Sequence, residues 1–195
     1  MIFPNNTPFD DPEHWHSGNS LPHYDGAEVY QCITYRLADS IPQSVLREIL
    51  AEGDEVRSRR EIEVILDRGL GACVLRNPQI AQLILENWFH FHGVRYQIVS
   101  YVIMPNHCHI LIRVFEEHKL GKIIQSWKIY TAKKIYEIIN CDRHVWQLDY
   151  WDRFIRDEKH FWDCVNYIHQ NPVKAGLCAK PGEWLFSSAR FFEKA

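Results

Sequence analysis

Hydrophobic residues recur along the chain with two different periods, and together they predict a mixed α and β fold. Alternating apolar and polar residues, rich in β-branched and aromatic side chains, predict strands at residues 29–37, 96–104 and 107–114. Apolar residues three and four positions apart predict helices near residues 42–50, 78–91, 120–138 and 157–171. The Pro-Asn pair at 105–106 is typical of a tight turn, so the strands that flank it form an antiparallel hairpin. This alternation favours an α+β fold, an antiparallel sheet with packed helices, over a doubly wound parallel sheet.

The first 27 residues differ in composition from the rest of the chain. They are rich in proline, asparagine, histidine and glycine and have no sustained period, which predicts an irregular arm at residues 1–27. Residues 28–195 have the length of one domain and contain no repeat, so we expect a single domain there. Within it, the highly charged residues 52–63 predict an exposed helical stretch, and Pro172 is expected to end the last helix.

Composition and charge narrow the class of protein. Hydrophobic residues make up 46% of the chain and aromatic residues 13%, which is enough for a globular core. A net charge of −3 argues against a protein that coats nucleic acid non-specifically, since that mode requires many cations. The cysteines form no C-x-x-C pair, which favours reduced thiols in a cytoplasmic setting over a zinc ribbon or a disulfide framework. We find neither an apolar run of about 18 residues nor a signal peptide, and therefore expect no membrane partner.

Three H-x-H triplets, at residues 14–16, 90–92 and 107–109, are candidate metal-binding pairs. On a strand, residues i and i+2 point to the same face, whereas on a helix they diverge. Only His107 and His109 lie on a predicted strand, because the first triplet falls in the irregular arm and the second follows a helix. Two imidazoles on one strand face can share a metal ion. The alternative is a hydrogen-bonded histidine pair, and a third ligand is needed to favour the metal.

The last helix offers such a ligand together with a nucleophile. Its polar stripe consists of residues at positions i, i+4, i+7 and i+8, which share one helix face, namely Asp163, Tyr167, Gln170 and Asn171. Tyr167 provides a phenol, and Asn171, one turn later, provides an amide oxygen. The alternative for Tyr167 is an ordinary half-buried tyrosine. Tyr130 is a rival nucleophile with Lys134 at i+4, but that position offers no metal ligand, so packing explains Tyr130 better.

Two sequence runs resemble a known family. The run MPNHCH at 104–109 resembles the HUH motif (His, hydrophobic residue, His) of single-tyrosine transposases, with Cys108 in place of the usual aliphatic residue. The run YIHQNPVKAGL at 167–177 resembles the tyrosine helix of the REP-associated tyrosine transposases, a branch of the IS200-like superfamily. Further matching segments occur at 126–128, 146–147, 150–153, 155–158 and 187–189, and the resemblance spans about residues 28–190.

The resemblance implies an RRM-like or ferredoxin-like sheet, the HUH endonuclease core, across residues 28–195. It implies Tyr167 as nucleophile and His107, His109 and Asn171 as ligands of Mg²⁺ or Mn²⁺, although these donor types alone also suit zinc. The implied activity is cleavage and rejoining of single-stranded DNA near REP-like hairpins through a 5′-phosphotyrosine. The implied partner is therefore hairpin-bearing single-stranded DNA, bound by a monomer or a homodimer in the nucleoid.

Basic residues cluster in two parts of the chain and are candidate DNA contacts. The candidates are Lys122, Lys128, Lys133, Lys134, Arg153, Arg156 and Lys174. The alternative is that they are solvated charges on helix surfaces. Phosphate contacts by such residues would be compatible with the overall negative charge if they lie on one surface.

Two other functions remain open from the sequence. One is a catalytically idle module that binds DNA hairpins, and the other is a metal-dependent hydrolase that activates water. Only the tyrosine mechanism gives a covalent protein–DNA adduct, which distinguishes it from both. A purely structural protein would leave the histidine and tyrosine motifs unexplained.

Overall fold

A computed structural model describes residues 15–17, 22–25, 28–51, 53–140 and 144–192. The strands are β1 (Trp15–Ser17), β2 (Pro22–Tyr24), β3 (Tyr30–Arg36), β4 (Tyr96–Ile103), β5 (His107–Val114) and β6 (Trp151–Phe154). The α-helices are α1 (Gln43–Ala51), α2 (Glu55–Asp67), α3 (Pro78–His90), α4 (Leu120–Ile139), α5 (Glu158–Lys174) and α6 (Ala189–Phe192). Single 3₁₀ turns occur at Val74–Arg76 and Pro181–Glu183. Within the described ranges, the thiols of Cys32, Cys73, Cys108, Cys164 and Cys178 are free. No helix there is long and apolar enough to cross a membrane.

The main sheet has four strands in the order β4-β5-β3-β6, and every neighbouring pair is antiparallel. The predicted hairpin of β4 and β5 is therefore present, and the predicted α+β fold is confirmed. In the pairing of β3 with β5, Thr34 lies opposite His109 and Arg36 lies opposite His107. This register places a hydroxyl of the neighbouring strand beside one of the two strand histidines.

One face of the sheet carries the larger hydrophobic core, which α3 and α4 cover. Every second residue of β5 points into it, namely Cys108, Ile110, Ile112 and Val114. Two fully buried tryptophans, Trp88 and Trp127, fill its centre. Their indole N–H groups donate to the hydroxyls of Tyr35 and Tyr96, each at 3.0 Å. Because those polar atoms are satisfied, the large rings can be buried without an unpaired donor.

The opposite face of the sheet is covered by α5. Leu111 of β5 and Val102 of β4 pack there against Ile168, Cys164 and their neighbours on the helix. His107 and His109 alternate with the core residues of β5 and so point to this second face. Cys108 lies in the larger core and so points away from the two histidines. The sheet thus separates a fully apolar side from a side that carries the candidate ligands.

Helix α5 begins and ends at defined signals, which fix the positions of its polar residues. Asp157 caps the first turn, accepting a hydrogen bond from the His160 N–H at 2.7 Å. The prediction that Pro172 ends the helix is wrong, because α5 continues to Lys174. Proline removes only one donor, and the next turn still closes through the Ala175 N–H bonded to the Asn171 carbonyl at 3.0 Å. Gly176, with a φ of 68°, then reverses the chain.

The charged segment before residue 68 is only partly exposed, contrary to the prediction. Helix α2 is capped by Asp54, which accepts from the Arg57 N–H at 3.0 Å, and it runs on to Asp67. Its apolar side packs into a small separate cluster with α1 and β6, formed by Ile41, Leu46, Ile49, Ile62, Leu66 and the partly buried Trp151. The apolar side of α2 was not recognised in the sequence, because its apolar residues are spaced four apart among charged residues.

The arm predicted to be irregular contains a short antiparallel hairpin of β1 and β2. Residues 1–14, 18–21 and 26–27 lie outside the described ranges. His23 of β2 is buried and is held between two carboxylates, with Nδ1 2.5 Å from Asp152 and Nε2 2.8 Å from Asp149. Its ring stacks on Tyr150 at 4.0 Å. Burial opposes protonation, but the hydrogen bonds to Asp149 and Asp152 and their charges outweigh it and raise the pKa of His23 to about 9.

We predict that protonated His23 stabilises the fold, so that the free energy of unfolding decreases at alkaline pH. A raised pKa means that the protonated ring stabilises the folded state fully below the unfolded pKa of 6.5, and that this contribution is lost as pH rises through about 9. The difference corresponds to roughly 3 kcal/mol. Urea unfolding at pH 6 and pH 10 measures it in the natural chain, in His23→Gln and in the exposed control His90→Gln.

The natural chain and His90→Gln should both lose stability between these two pH values, and His23→Gln should lose much less. An equal loss in all three proteins would show that His23 does not hold the hairpin through its charge.

Candidate functional site

The two strand histidines turn the same ring atom towards each other. The Nε2 atoms of His107 and His109 are 3.0 Å apart, and their rings meet edge to face. Each Nδ1 atom points away and has a partner, Asn106 Oδ1 at 2.7 Å for His107 and Thr34 Oγ1 at 2.7 Å for His109. The partners fix the ring planes, so both Nε2 atoms converge on one point between the sheet and α5.

Asn106 determines which nitrogen of His107 carries the proton. Its Nδ2 group donates to the carbonyls of Leu66 and Leu70, at 3.2 and 3.0 Å, so its Oδ1 atom must face the histidine. A carbonyl oxygen only accepts, and His107 therefore donates from Nδ1–H and keeps a bare Nε2. From the sequence, Asn106 is expected as a turn residue and as part of the run MPNHCH, but not as the support of His107. The sequence does not indicate this role, because both carbonyls come from a segment that is distant in the chain.

Thr34 restricts the tautomer of the His109 ring less than Asn106 restricts that of the His107 ring. A hydroxyl can donate or accept, so the Thr34 hydroxyl supports either tautomer of the His109 ring. When His109 donates from Nδ1, its Nε2 is bare and both Nε2 lone pairs face the same point. When Thr34 donates instead, the His109 Nε2–H can bond to the His107 Nε2 at 3.0 Å. The change of His109 tautomer therefore lets the pair either bind an ion or form a hydrogen bond between the two rings.

Both imidazoles are buried to the point that protonation is disfavoured. His107 and His109 are each 1% exposed. Burial and the neighbouring His109 lower the pKa of His107 well below its usual range, although Asn171 opposes the shift. Burial, together with the charge of Lys174, lowers the pKa of His109 to about 3. Neutral imidazole is the form that binds metal ions, so burial keeps both rings in that form at neutral pH.

Helix α5 brings Asn171 and Tyr167 to the histidines. Asn171 is 1% exposed, and its amide lies beside the His107 ring and the Tyr167 hydroxyl. Its Oδ1 atom is buried and makes no hydrogen bond of ordinary geometry among the described residues. An unpaired buried carbonyl oxygen costs free energy, and it is usually explained by a missing water or ion. The other predicted members of this stripe, Asp163 and Gln170, are exposed.

These donors fit a divalent cation. Two nitrogens bound to one ion at about 2.1 Å, in directions at right angles, lie about 3 Å apart, and the Nε2 atoms of His107 and His109 are 3.0 Å apart. The unpaired oxygen of Asn171 supplies a third donor. No cluster of three His, Cys, Asp or Glu side chains suited to a metal occurs in the described part of the chain. Two imidazoles and one amide oxygen suit Mn²⁺, Mg²⁺ and Zn²⁺, so the donor types do not select one ion.

Tyr167 is half-buried between the histidines and a cation. Its ring meets the His109 ring edge to face at 5.2 Å between centroids, and the Lys174 Nζ atom lies 5.0 Å from its centre. Burial and the charge of Glu63 raise the pKa of Tyr167, and a hydrogen bond from Asn171 partly opposes them. The phenol is therefore protonated in the free protein.

Helix α2 forms one wall of this site, which was not expected from the sequence. Arg59, Glu63 and Asp67 stand four residues apart and share a helix face. The Glu63 carboxyl interacts with the Tyr167 hydroxyl, and burial raises the pKa of Glu63. Burial and the charge of Glu63 raise the pKa of Asp67 to about 6. The spacing of four was visible in the sequence, but nothing there linked this face to the tyrosine.

The basic residues proposed as DNA contacts fall into two groups. Lys174 and Arg153 are exposed and lie close to Glu63, and Arg156 is exposed just before α5. The α4 residues Lys122, Lys133 and Lys134 lie on the helix that covers the other face of the sheet, and Lys134 pairs with Glu137 at 2.7 Å. The structure therefore does not bring all of the predicted cations to one surface.

Lys128 has a different environment from the one expected. Its ammonium donates to the carbonyls of Gln147, Leu148 and Asp149 at 3.0 to 3.1 Å, and burial lowers its pKa to about 8. All three donors of the ammonium are used in holding this loop, which leaves none for DNA. We therefore exclude Lys128 from the proposed DNA contacts.

Tyr130, the rival nucleophile, is not a packing residue. It is 48% exposed on α4, which packs on the apolar face of the sheet. The expectation that packing explains Tyr130 is wrong. Its helix lies across the sheet from His107 and His109, so it is also not close to the candidate ligands.

Comparison with known proteins identifies relatives of this arrangement. Residues 82–171 match the family described as Transposase IS200 like. An uncharacterized protein of Haemophilus influenzae is 30% identical, over 40% of this chain and 54% of its own length. A REP-associated tyrosine transposase of Escherichia coli (strain K12) is 28% identical, over 48% of this chain and 54% of its own length. The chain thus spans about half the length of the curated relatives it matches.

A solved structure shares the fold. The structure of a REP-associated tyrosine transposase bound to a REP hairpin superimposes with a TM-score of 0.60 at 17% sequence identity, and covers 89% of this chain and 84% of that chain. The family match includes the histidine strand, Tyr167 and Asn171, whereas α2 lies outside it. Residues 82–171 are therefore similar to the IS200-like transposases, and the resemblance to REP-associated tyrosine transposases expected from the sequence is confirmed.

Proposed function

We propose that this protein cleaves and rejoins single-stranded DNA near hairpins, with Tyr167 as the nucleophile. The observation that carries the proposal is the convergence of four side chains from two distant elements. His107 and His109 come from β5, and Tyr167 and Asn171 come one turn apart from α5. A tyrosine hydroxyl supplies a nucleophile, and two neutral imidazoles with an unpaired amide oxygen supply donors for a metal ion that can support its attack on a phosphodiester.

The proposed reaction is a transesterification. The Tyr167 Oη atom attacks the scissile phosphorus, a bond forms between them, and the bond from phosphorus to the 3′ oxygen breaks. The phenol gives up its proton and the leaving oxygen gains one, so the products are a 5′-phosphotyrosine and a free 3′-OH. Rejoining is the reverse reaction with a 3′-OH as nucleophile. The covalent link conserves the phosphodiester bond energy, so no nucleotide cofactor is needed.

His107, His109 and Asn171 would hold a divalent cation, Mg²⁺ or Mn²⁺. When bound, such an ion neutralises charge on the phosphate and stabilises the phenolate. Asn106 and Thr34 keep the two imidazoles in position and in a neutral tautomer, so little reorganisation accompanies binding. Lys174 stands over the Tyr167 ring, where its charge favours negative charge on the phenol oxygen.

The proposed substrate is DNA that contains a hairpin, by analogy with the REP hairpin bound to the structural relative. Exposed Arg153, Arg156 and Lys174 are proposed phosphate contacts near Tyr167. Because α5 packs on the sheet of its own chain, we propose a monomer acting in cis, with a homodimer as the alternative. We place this activity in the cytoplasm, at the nucleoid.

A second candidate function is a hairpin-binding module without catalysis. The observation that favours it is the burial of the site, because His107, His109 and Asn171 are each 1% exposed. DNA would have to open this site before Tyr167 could attack. A module that only binds hairpins would not require such a change.

We predict that a covalent adduct forms through Tyr167 alone. Purified protein is incubated with Mn²⁺ and labelled hairpin-bearing single-stranded DNA, and SDS-resistant adduct is measured by gel electrophoresis. Tyr167→Phe removes the attacking oxygen and should lower the adduct at least about a hundredfold. Tyr130→Phe is the matched control, because this tyrosine is exposed on the other side of the sheet, and it should form the adduct normally.

Each alternative gives a different pattern in this assay. Hairpin binding without adduct in any protein indicates the idle module. Strand cleavage that survives in Tyr167→Phe, with no adduct, indicates a hydrolase that activates water.

We also predict that Thr34 tunes the metal site without touching the ion. Thr34→Val keeps the shape of the side chain but removes the hydroxyl that holds His109 Nδ1 at 2.7 Å. Calorimetric titration with Mn²⁺ should show an affinity about 10- to 100-fold lower in Thr34→Val, as for other supports of ligating histidines. Thr34→Ser keeps the hydroxyl and should bind nearly as the natural chain does. Equal affinities in all three proteins would contradict His109 as a ligand.

A further inference from the structure

Glu63 lies at a point where three elements of the fold bring cations together. Its carboxyl interacts with the Tyr167 hydroxyl, and the charges of Arg59, Arg153 and Lys174 all act on it. These cations come from α2, β6 and α5 respectively. An acidic side chain of α2 therefore lies beside the proposed nucleophile, where burial disfavours its negative charge and three cations favour it.

The positions of the cations follow from the fold. Arg59 stands one helical turn before Glu63 on the same face of α2. Arg153 pairs in register with Cys32, whose side chain packs under α5, so Arg153 belongs to the same face of the sheet. Lys174 stands over the Tyr167 ring at 5.0 Å. The three basic groups thus come from three elements on the side of the sheet that carries Tyr167, and all three act on Glu63.

The donors of this cation group are not fully used in the free protein. The Nε atom of Arg59 is buried and has no hydrogen-bond partner among the described residues. Among the residues that the structure describes, neither Arg153 nor Lys174 forms an ion pair with Glu63 within 4 Å. A buried donor of a charged group without a partner is costly, and an arriving anion would relieve that cost.

A phosphodiester can use the same basic groups as the carboxylate. Arginine donors suit phosphate oxygens, and a phosphate beside Tyr167 is what the reaction requires. Glu63 and the phosphate carry the same charge and cannot both remain beside the tyrosine hydroxyl. Glu63 has a long side chain on a partly exposed helix, so it can turn towards solvent without unfolding α2.

We propose that Glu63 occupies the place of a substrate phosphate in the DNA-free protein, and that Arg59, Arg153 and Lys174 bind that phosphate when DNA displaces it. This inference rests on the proposed function, since it assigns the substrate subsite beside Tyr167. It adds Arg59 and Glu63, which lie outside the region that matches the transposase family. Glu63 thereby acts as an internal competitor that weakens binding of DNA.

The test measures binding, without chemistry. Fluorescence anisotropy with a labelled oligothymidylate in EDTA reports on strand binding, because the probe forms no hairpin and chelation prevents cleavage. Glu63→Gln removes the competing charge and should bind about five- to tenfold more tightly. Glu61→Gln is the matched control, since it makes the same change of charge on α2 at a surface residue paired with Arg57. It should change affinity less than about twofold.

Two further measurements separate a specific subsite from general attraction. Glu63→Gln should steepen the salt dependence of binding by about 0.7 in log K per log salt, the value for one added phosphate contact on a single strand. Arg59→Gln should weaken binding, and in the double variant Arg59→Gln/Glu63→Gln most of the gain should vanish. Thermal melting of each variant shows whether the fold is intact.

Equal gains in Glu63→Gln and Glu61→Gln would overturn the proposal, as would a gain that persists without Arg59. Failure of every variant to bind the strand at low salt would overturn it too. The proposed chemistry is decided separately by the Tyr167 adduct, which these binding measurements do not involve.

Discussion

The close approach of two imidazole nitrogens is the constraint on which the rest of the site depends. The Nε2 atoms of His107 and His109 face each other at 3.0 Å in a region that is almost closed to water. Two lone pairs at that distance repel each other unless a proton or a metal ion lies between them. The fold imposes this approach through strand pairing and through the fixed partners of both Nδ1 atoms. Burial then excludes the charged imidazolium forms, so the pair is held ready for a cation.

Helix α5 adds the proposed nucleophile and a third candidate ligand to this histidine pair. Placing Tyr167 and Asn171 four residues apart on one rigid helix sets the nucleophile and the third ligand by a single packing event. The continuation of the helix through Pro172, closed by the bond between Ala175 and Asn171, keeps both side chains in helical register. The apolar contacts of Ile168 with the sheet therefore determine where the tyrosine hydroxyl lies. The apolar contacts that hold α5 on the sheet thus also set the geometry of the proposed catalytic groups.

The sequence was informative where local periodicity decides the outcome. Alternation along β5 was sufficient to place His107 and His109 on one face and Cys108 on the other, and helical spacing joined Tyr167 to Asn171. It was not informative where long-range contacts decide. Asn106 looked like a turn residue because its carbonyl partners are distant in the chain, and the α2 face near Tyr167 looked like a solvated surface. Lys128 looked like a free surface cation because its carbonyl partners lie in a later loop.

We propose that Tyr167 itself becomes linked to DNA at a centre formed by His107, His109 and Asn171. Mass spectrometry of the digested protein–DNA adduct detects this link, because it locates the linked nucleotide on one residue. We expect a 5′-phosphate nucleotide on the Tyr167 peptide, formed only when divalent metal is present. A nucleotide on another tyrosine, or strand cleavage that leaves every tyrosine unmodified, would contradict it.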